Sequence, residues 1–430
     1  MRRFLPGAAI ASTTLFITAA PAHAQTDNTV LVDTAVPDNF DRGRNVSVLE
    51  RGRPDYDPLG IQAFSFVVKP SIEIGQGGSD NVYLTSTNRI TDSFYYLAPT
   101  VLASSDWQRD QVLLSAAGLF QRFVKQTARN QSVYDLRSLG RKDLGSYLSL
   151  TGEAQYAKQY ETPDTGAINA AESVLSTYHR GYLAARGQYN AGQARIILAA
   201  DRTSYSFSNI DTGAGIINQR DRDRVITRGT GEAQYAFTPS VSIYGQTTYS
   251  SIDYSRRLLS GAANRDSTGW RIIGGLNFDL AGLMRGKIGV GYLNRDYRSA
   301  AFRDVHGLSV EAKIEYFPSE LTTYTLQLSR TLQDSNIGNI SAYFDNAVSG
   351  KVDHELLNNL IVGATAEYRR QTYIDSPLRN NFYRIAANAT YLSSRFVALN
   401  ANLAYLNRTT EGQTGRFREL RGQIGVTLRR

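Results

Sequence analysis

The chain has 430 residues, of which 42% are hydrophobic and 20% charged, and it carries a formal net charge of +8. It has no cysteine, which excludes disulfide scaffolds, thiolate metal sites and thiol catalysis. The longest uncharged stretch beyond the N-terminus, 233–252, contains Pro239 and seven Ser or Thr residues. It therefore cannot supply the apolar span of about 20 residues that a transmembrane helix needs.

The N-terminus has the organisation of a secretory signal peptide. Arg2 and Arg3 form a short basic region, an apolar stretch follows at 4–20, and 22–24 (Ala-His-Ala) offers the small residues of a cleavage site. The sequence therefore predicts a signal peptide at 1–24. Residues 25–62 are rich in Pro and charge and lack periodicity, which predicts an irregular, exposed periplasmic segment.

From residue 63 onward, apolar residues alternate with polar or small ones over stretches of ten or more. In 308–316, for example, every even position is Leu, Val, Ala, Ile or Tyr, and every odd position is Ser, Glu or Lys. Such alternation is typical of a strand with one apolar and one polar face. Strands of soluble sandwiches alternate too, but they average about five or six residues, whereas a tilted membrane strand needs about 9–11.

Tyrosine recurs where these apolar faces end. The chain has 26 Tyr against 17 Phe and 2 Trp, and its amphipathic ring suits the interface between lipid and water. Membrane barrels carry girdles of such aromatics at both interfaces. The tyrosines placed in this way are Tyr156, Tyr235, Tyr249, Tyr292, Tyr316, Tyr368, Tyr391 and Tyr405.

Eighteen candidate strands fit the alternation, and sixteen is a close alternative. Both are even numbers, as bacterial single-chain barrels have. The sequence therefore predicts an all-β fold, a transmembrane antiparallel up-and-down β-barrel of about 16–18 strands over 63–430. Short turns are expected on the periplasmic side together with both termini, and the longer joins at 161–171, 209–219 and 259–267 are expected to be extracellular loops.

Assigning the apolar strand faces to lipid places a set of charged residues on the lumen side. These charges have two interpretations. They are cross-strand ion pairs that tie the wall together, each worth about 0.2–1 kcal/mol, or they form a basic track that guides an anionic polymer. Ion pairing is the favoured interpretation for most of them. The candidate lumen-lining residues are Arg271, Lys287, Arg295, Lys313, Arg369, Arg384, Arg421, Glu311, Glu315 and Glu367.

Few residues point to catalysis, a metal or a cofactor. Only His179, His306 and His354 follow the predicted signal peptide, and none has the spacing of a His-Glu-x-x-His zinc site. The chain has no phosphate-binding loop of the Gly-x-x-x-x-Gly-Lys type. A Ser-His-acid triad stays open, because its members need not be close in sequence. We expect a protein that is not an enzyme and that uses neither cofactor nor metal.

Two segments carry a family resemblance. The first is the run 53–61, Arg-Pro-Asp-Tyr-Asp-Pro-Leu-Gly-Ile, and the second is 286–297 with its Gly-Tyr-x-x-Arg-Asp-Tyr run. Over about 40–430 the chain resembles the family called putative β-barrel porin 2. Members are linked to exopolysaccharide export systems, so the resemblance implies an outer-membrane exit channel in a Gram-negative bacterium. The C-terminal 423–430 resembles the barrel-assembly signal, although Arg430 stands where an aromatic is usual.

The predicted function is thus export of an exopolysaccharide across the outer membrane. Two alternatives remain open: a general or sugar-uptake porin, and a structural or adhesive barrel that acts through its loops. The expected partners are outer-membrane lipid, the polysaccharide, periplasmic polysaccharide-export components and the barrel-assembly machinery, with no nucleic acid. The segment 25–60, expected to be exposed, is a candidate docking site for a periplasmic component.

Overall fold

A computed structural model describes residues 45–161, 175–211, 215–337, 340–412 and 415–430. In this part of the chain, eighteen long antiparallel strands each pair with the next, and the last pairs with the first to close the barrel. The predicted fold class is confirmed, with eighteen strands. In chain order they are β1 Phe66–Ser79, β2 Asp92–Ser105, β3 Gln111–Phe123, β4 Gln131–Leu144, β5 Leu148–Glu161, β6 Ser176–Ala191, β7 Ala194–Phe207, β8 Arg224–Thr238, β9 Val241–Tyr254, β10 Ser267–Leu280, β11 Met284–Tyr297, β12 Val305–Ser319, β13 Thr322–Asp334, β14 Ala342–Leu357, β15 Leu360–Tyr373, β16 Arg379–Leu392, β17 Val397–Glu411 and β18 Phe417–Arg429.

Alternation decides which face of each strand meets lipid. Along β10, Trp270, Ile272 and Leu276 are exposed on the outside, while Arg271 and Asn277 at alternate positions are buried. The strands are 13–16 residues long, enough to cross the apolar core of a bilayer when tilted. No helix among the described residues is long and apolar enough to cross a membrane.

The tyrosines predicted to form girdles lie on the outer face in two rings. Tyr156, Tyr249, Tyr292, Tyr368 and Tyr405 lie near one rim, which we call the extracellular girdle; Tyr235, Tyr316 and Tyr391 lie near the opposite rim. Neighbouring rings contact each other along each girdle, as Tyr368 does with Tyr383 at 5.1 Å between ring centroids. The apolar band between the girdles is the surface that a bilayer covers.

The two rims differ in the length of their connections. One rim carries short turns, such as 239–240, 281–283 and 358–359, and the other carries longer joins such as 80–91 and 255–266. Barrels of this kind keep their short turns in the periplasm, which also places Arg430 there. Of the loops expected outside the cell, 259–267 and the described parts of 209–219 lie on the rim with long joins, while most of 161–171 lies outside the described residues.

Residues 45–60, which we call the strap, correct one expectation. They are not exposed throughout: they lie inside the periplasmic mouth, where Val48 is fully buried. Its apolar partners are the inward-facing Ile361, Leu392 and Ala398 at the periplasmic ends of β15–β17. The strap packs there because its few apolar side chains find the apolar ends of these inner faces. Residues 1–44, including the predicted signal peptide, lie outside the described residues.

Polar contacts fix the strap at both ends. At its start, the Asn45 side chain donates to Asp279 at 2.6 Å, beside the β10–β11 turn. Near its end, the Arg429 guanidinium of β18 donates to the Tyr56 carbonyl oxygen at 3.0 Å. Between them, Arg53 pairs with Glu355 of β14 at 2.7 Å. The strap therefore follows the periplasmic rim from β10 to β18, about half of the barrel's circumference.

The extracellular mouth also contains an inward element. The β12–β13 ladder ends at the pair Val310 and Arg330, and beyond it the end of the β13–β14 hairpin, described over 331–337 and 340–345, separates from β12 while its second strand stays paired with β15. We call this segment the inner hairpin. Its Leu332 packs against the inward-facing Leu293 and Val305 of β11 and β12. The hairpin therefore lies inside the wall at this rim, and both mouths are narrowed by the chain itself.

Candidate conduction pathway

The inner wall has two regions of different chemistry, and Glu311 lies at the centre of the first. Its carboxylate is 2.5 Å from the Arg271 guanidinium and 3.2 Å from the Lys287 ammonium, and it accepts a hydrogen bond from the Tyr244 hydroxyl at 3.0 Å. All four side chains are at least nine-tenths buried as residues. We call the inner face of β7–β12 the charged sector.

Further ion pairs extend this sector. Lys287 also lies 3.6 Å from Glu232, and on the neighbouring strands Arg228 pairs with Asp201, both being buried. A charge removed from water is stable only when it is paired and hydrogen-bonded. The charged sector meets this requirement from its own side chains, so little of its charge is available to a passing solute.

Glycine makes the close packing of this sector possible. A Cβ added at Gly289 would lie 2.0 Å from the Tyr244 hydroxyl, and one at Gly275 would lie 1.9 Å from the Ile288 carbonyl oxygen. The Tyr244 ring can therefore lie against bare backbone while its hydroxyl reaches Glu311. The wall here is filled by side chains that lie flat on the sheet.

The second region, the inner face of β15–β18, is rich in amides, and we call it the amide sector. Asn388, Asn402 and Gln423 are directly opposite one another on β16, β17 and β18 and form a row across three strands. Gly363 and Gly77 occupy the next positions at the two ends of this row. We call these three side chains the amide row.

The amide row differs from the charged sector in its hydrogen bonding. Within the described residues, none of its three side-chain amides has a hydrogen-bond partner within 3.5 Å. All three line a cavity of about 360 Å³, and Leu49 of the strap lines the same cavity. Each amide offers two N–H donors and a carbonyl acceptor, so the row presents donors and acceptors to whatever fills the lumen.

Charged residues also border this cavity. Arg384 stands opposite Glu367 in the β15–β16 ladder, and Glu367 accepts a hydrogen bond from Arg369 at 2.8 Å. Lys351 pairs with Asp353 at 2.8 Å. Charges of both signs therefore surround the amide row.

The ten charged residues expected on the lumen side all occupy inner-face positions, but they lie in separate groups. Arg271, Lys287 and Glu311 come together in the charged sector, while Lys313 stands opposite Lys287 in the ladder. Glu367, Arg369 and Arg384 border the amide-sector cavity.

The remaining three contact other elements. Glu315 pairs with Arg285, which also holds the strap's Glu50 at 2.7 Å. Arg295 pairs with Asp334 of the inner hairpin at 2.6 Å. Arg421 donates to Gln121 at 2.6 Å and lies 4.6 Å from the Phe94 ring centroid.

This pairing decides between the two interpretations of the lumen charge for several residues. Arg271, Lys287, Arg295 and Arg369 each have a carboxylate oxygen within 4.0 Å. Three of these cations form ion pairs across strands, and Arg369 pairs with Glu367 on its own strand. A cation already paired with a carboxylate is a weak partner for a second anion. The structure therefore does not favour a continuous basic track through these four residues.

Two parts of the pathway were missed by the sequence analysis. The amide row corresponds to Asn or Gln at polar-face positions of the predicted strands 380–392, 395–408 and 415–429, but uncharged amides give a weaker sequence signal than charges do. The strap contacts had no such signal, since 45–60 lacks periodicity.

Comparison with known proteins agrees with this architecture. The sequence profile of the family described as putative beta-barrel porin 2 matches residues 53–430. The chain belongs to this family. The match begins at Arg53 of the strap, so it includes the anchor to Glu355 as well as the whole barrel.

Solved structures resemble the barrel in fold. OpdK of Pseudomonas aeruginosa, determined with vanillate, is 11% identical with a TM-score of 0.46, covering 84% of this chain and 99% of its own. OpdQ of Pseudomonas aeruginosa is 10% identical with a TM-score of 0.44, covering 85% and 98%. The siderophore receptor PirA of the same species is 8% identical with a TM-score of 0.42, covering 84% and 80%. No curated protein matches the sequence.

Membership of this family, together with the closed eighteen-stranded barrel, makes this an outer-membrane β-barrel of the porin type. An eighteen-stranded barrel is wide enough for an aqueous interior. The interior described above, with a paired charged wall and an amide-lined cavity, is the candidate path for a solute.

Proposed function

We propose that this barrel is the outer-membrane channel through which an exopolysaccharide leaves the cell. The observation that carries the proposal is the amide row, whose side chains face the lumen without partners of their own. A polysaccharide presents many hydroxyl groups, and each of them both donates and accepts hydrogen bonds. Amides match this chemistry at neutral net charge, and the family resemblance at 53–61 supports the same cargo.

The chemistry of the wall favours a neutral or weakly charged polymer. The basic residues of the charged sector are paired, so they offer little attraction to an anionic chain. The amide row, in contrast, holds hydroxyl groups by weak and exchangeable bonds. Such bonds let a polymer slide, because each bond to the wall that breaks is replaced by a bond to water or to the next amide. The barrel acts as a conduit in this proposal, without catalysis.

The proposal includes a periplasmic partner. A polymer must be delivered to the channel across the periplasm, and the strap lies at the periplasmic rim. We propose that a periplasmic polysaccharide-export component docks at this rim. The strap borders the amide-lined cavity through Leu49, which puts a docking event close to the path of the polymer.

A clean deletion strain tests the proposal. We expect it to lose surface polysaccharide and to retain the polymer in the periplasm. Complementation with the triple variant N388A/N402A/Q423A should restore an assembled barrel but only part of the secretion. The matched control is Q327A, which removes one lumen-facing amide on β13 outside the row; it should secrete normally.

Other results would reassign the function. Normal polysaccharide output with slowed uptake of small sugars would identify an uptake porin instead. Normal output and normal uptake, with loss of attachment or of envelope integrity, would point to the structural or adhesive alternative. If the triple variant and Q327A secrete alike, the amide row is not the contact surface.

A further inference from the structure

The outer face of β5–β7 has a hollow just below the extracellular rim. Tyr156, Gly181 and Ser204 stand in one row across these strands, and Gly181 leaves the space between its two neighbours open. A groove of about 510 Å³ runs through this place on the wall. Leu136, Ala154, Tyr156, Leu183 and Arg202 line it.

Three basic side chains surround the hollow. Arg202 is exposed and lies directly beside Leu183, one row towards the periplasm from Gly181. Lys158 and His179 stand opposite each other in the row on the extracellular side. The His179 ring stacks on Tyr156 at 5.9 Å between ring centroids, which holds it at the edge of the hollow.

These basic groups have no acidic partner. Among the described residues, none of the three has a carboxylate oxygen within 4.0 Å, and no Asp or Glu occupies an outer-face position of β3–β8. Elsewhere on the extracellular rim a similar cation is neutralised locally, as Arg298 is by Asp253 at 2.8 Å. The hollow is therefore positive on a surface that borders lipid.

Depth in the membrane indicates what neutralises this charge. Tyr156 belongs to the extracellular girdle, whose rings lie at the level of the lipid headgroups. The three basic residues thus lie one outer-face row above or below Tyr156, with the apolar groove directly beside them. An Arg guanidinium and a Lys ammonium are the side chains that bind phosphate best. An amphiphile with phosphate above and acyl chains below fits both parts of the site.

We propose that this hollow binds a phosphorylated glycolipid of the outer leaflet, of the lipid A type. Its phosphate would lie in the hollow over Gly181, between Arg202, Lys158 and His179, and one acyl chain would continue into the groove past Ala154 and Leu183. The site faces lipid and not the lumen, so it is independent of the cargo proposed above. The bound lipid would hold one side of the barrel wall at a fixed position in the outer leaflet.

Native mass spectrometry of the full-length, detergent-purified barrel tests the site, with bisphosphorylated lipid A as the added probe. We expect R202Q/K158Q to bind the probe roughly tenfold more weakly than wild type, as loss of charge-assisted contacts worth about 1.4 kcal/mol would give. The matched control is R370Q on β15, an outer-face arginine at a similar height whose ladder neighbours are Asn346 and Asn381. It should bind like wild type.

A second variant separates the shape of the hollow from its charge. G181L fills the hollow with an ordinary lipid-facing side chain and keeps all three basic groups; the nearest atom to its Cβ is the rotatable Ser204 hydroxyl at 2.8 Å. It should weaken binding while the barrel still shows the gel shift of a folded barrel on boiling.

Further probes decide the chemistry of the ligand. Lipid A without phosphate should bind no better to wild type than to R202Q/K158Q. Equal affinity for phosphatidylglycerol would overturn the glycolipid assignment, since a plain anionic lipid would then suffice. Equal binding of lipid A by wild type, R202Q/K158Q and R370Q would overturn the site itself.

Discussion

The charged and amide sectors occupy the same barrel and the same kind of strand, yet their inward polar groups are hydrogen-bonded and paired differently. In the charged sector, polar groups are buried against one another, as Glu311 is by Arg271 and Lys287. In the amide sector, the row of Asn388, Asn402 and Gln423 leaves its groups directed at the lumen. The first arrangement makes a stiff wall and the second a surface for a ligand. Strand alternation alone does not distinguish them.

The largest effect is expected from removing the central carboxylate of the charged sector. Glu311→Gln leaves Arg271 and Lys287 buried with less compensation, and breaking a buried ion pair in this way costs about 3–5 kcal/mol. The measurement is the urea midpoint of the folded band on unboiled gels. Glu367→Gln is the control on the amide side: its carboxylate is 20% exposed, so we expect a loss below about 1 kcal/mol. Equal losses would abolish the distinction between the sectors.

The second prediction separates inner from outer face on one strand of the amide sector. Ala366 lies outside and Thr365 inside, lining the cavity. Ala366→Arg should cost roughly 2–4 kcal/mol, because it places a charge in the apolar band. Thr365→Arg should be tolerated, since it enters a wet cavity beside Glu367. Folded yield in reconstituted liposomes measures both, and similar yields would mean that the register of β15 is wrong.

A matched pair of glycines sharpens the contrast in packing. Gly289→Ala in the charged sector drives a methyl group into the buried Tyr244 hydroxyl and should cost about 1–3 kcal/mol. Gly363→Ala in the amide sector meets the ends of two side chains, the Asn388 amide at 2.7 Å and the Asp353 carboxylate at 3.1 Å, and the Asn388 amide borders the cavity and has room to turn. We expect a loss below about 0.5 kcal/mol there. Denaturant midpoints of the two variants test this, and a larger loss for Gly363→Ala would contradict it.

The smallest effect concerns pH at the strap, which joins the two sectors. Burial alone would raise the pKa of Glu50, but the Ser47 backbone N–H, at 3.0 Å, and the Arg285 guanidinium lower it below the ordinary 4.5. The stabilisation from Glu50 is therefore complete above about pH 4.5 and is lost as the pH falls through the lowered value. The protection factors of the 45–57 backbone amides, which correct for the intrinsic pH dependence of exchange, should fall on acidification below that pH.

Glu50→Gln supplies the control for the strap. It removes the titrating group, so protection factors in 45–57 should be low already at neutral pH and change little on acidification. The barrel strands should keep their protection in both proteins. Acid-induced exchange that persists in Glu50→Gln would assign the pH response to another carboxylate.

The sequence predicts those parts of this protein in which apolar and polar residues alternate with a period of two. Each strand has one environment on each face, so the exposed Trp270 and the buried Arg271 could be assigned from their neighbours alone. The girdle tyrosines followed from the same alternation. Which charges pair was harder, because Arg271 and Glu311 lie on strands that are two apart in the wall, and their meeting depends on the stagger of β10, β11 and β12.

The inward elements could not be predicted for a different reason. Leu332 continues the alternation of β13 and reads like a lipid-facing residue; only its packing on Leu293 and Val305 shows that the hairpin has turned inside. The strap has no period at all, and its place is set by contacts with residues more than two hundred positions away, such as Asp279 and Glu355. The amide row depends on three separate hairpins coming into register.

The course of the strap has a consequence for the order of assembly. It runs from the β10–β11 turn to the start of β1, and both of its ends open on the periplasmic rim. No part of it is threaded through the wall or tied beneath a closed loop. All eighteen strands can therefore pair and the barrel can close before the strap docks. Undocking it breaks side-chain contacts with the barrel and no rung of the ladder, so the strap can unfold separately, at low free energy, while the barrel stays folded.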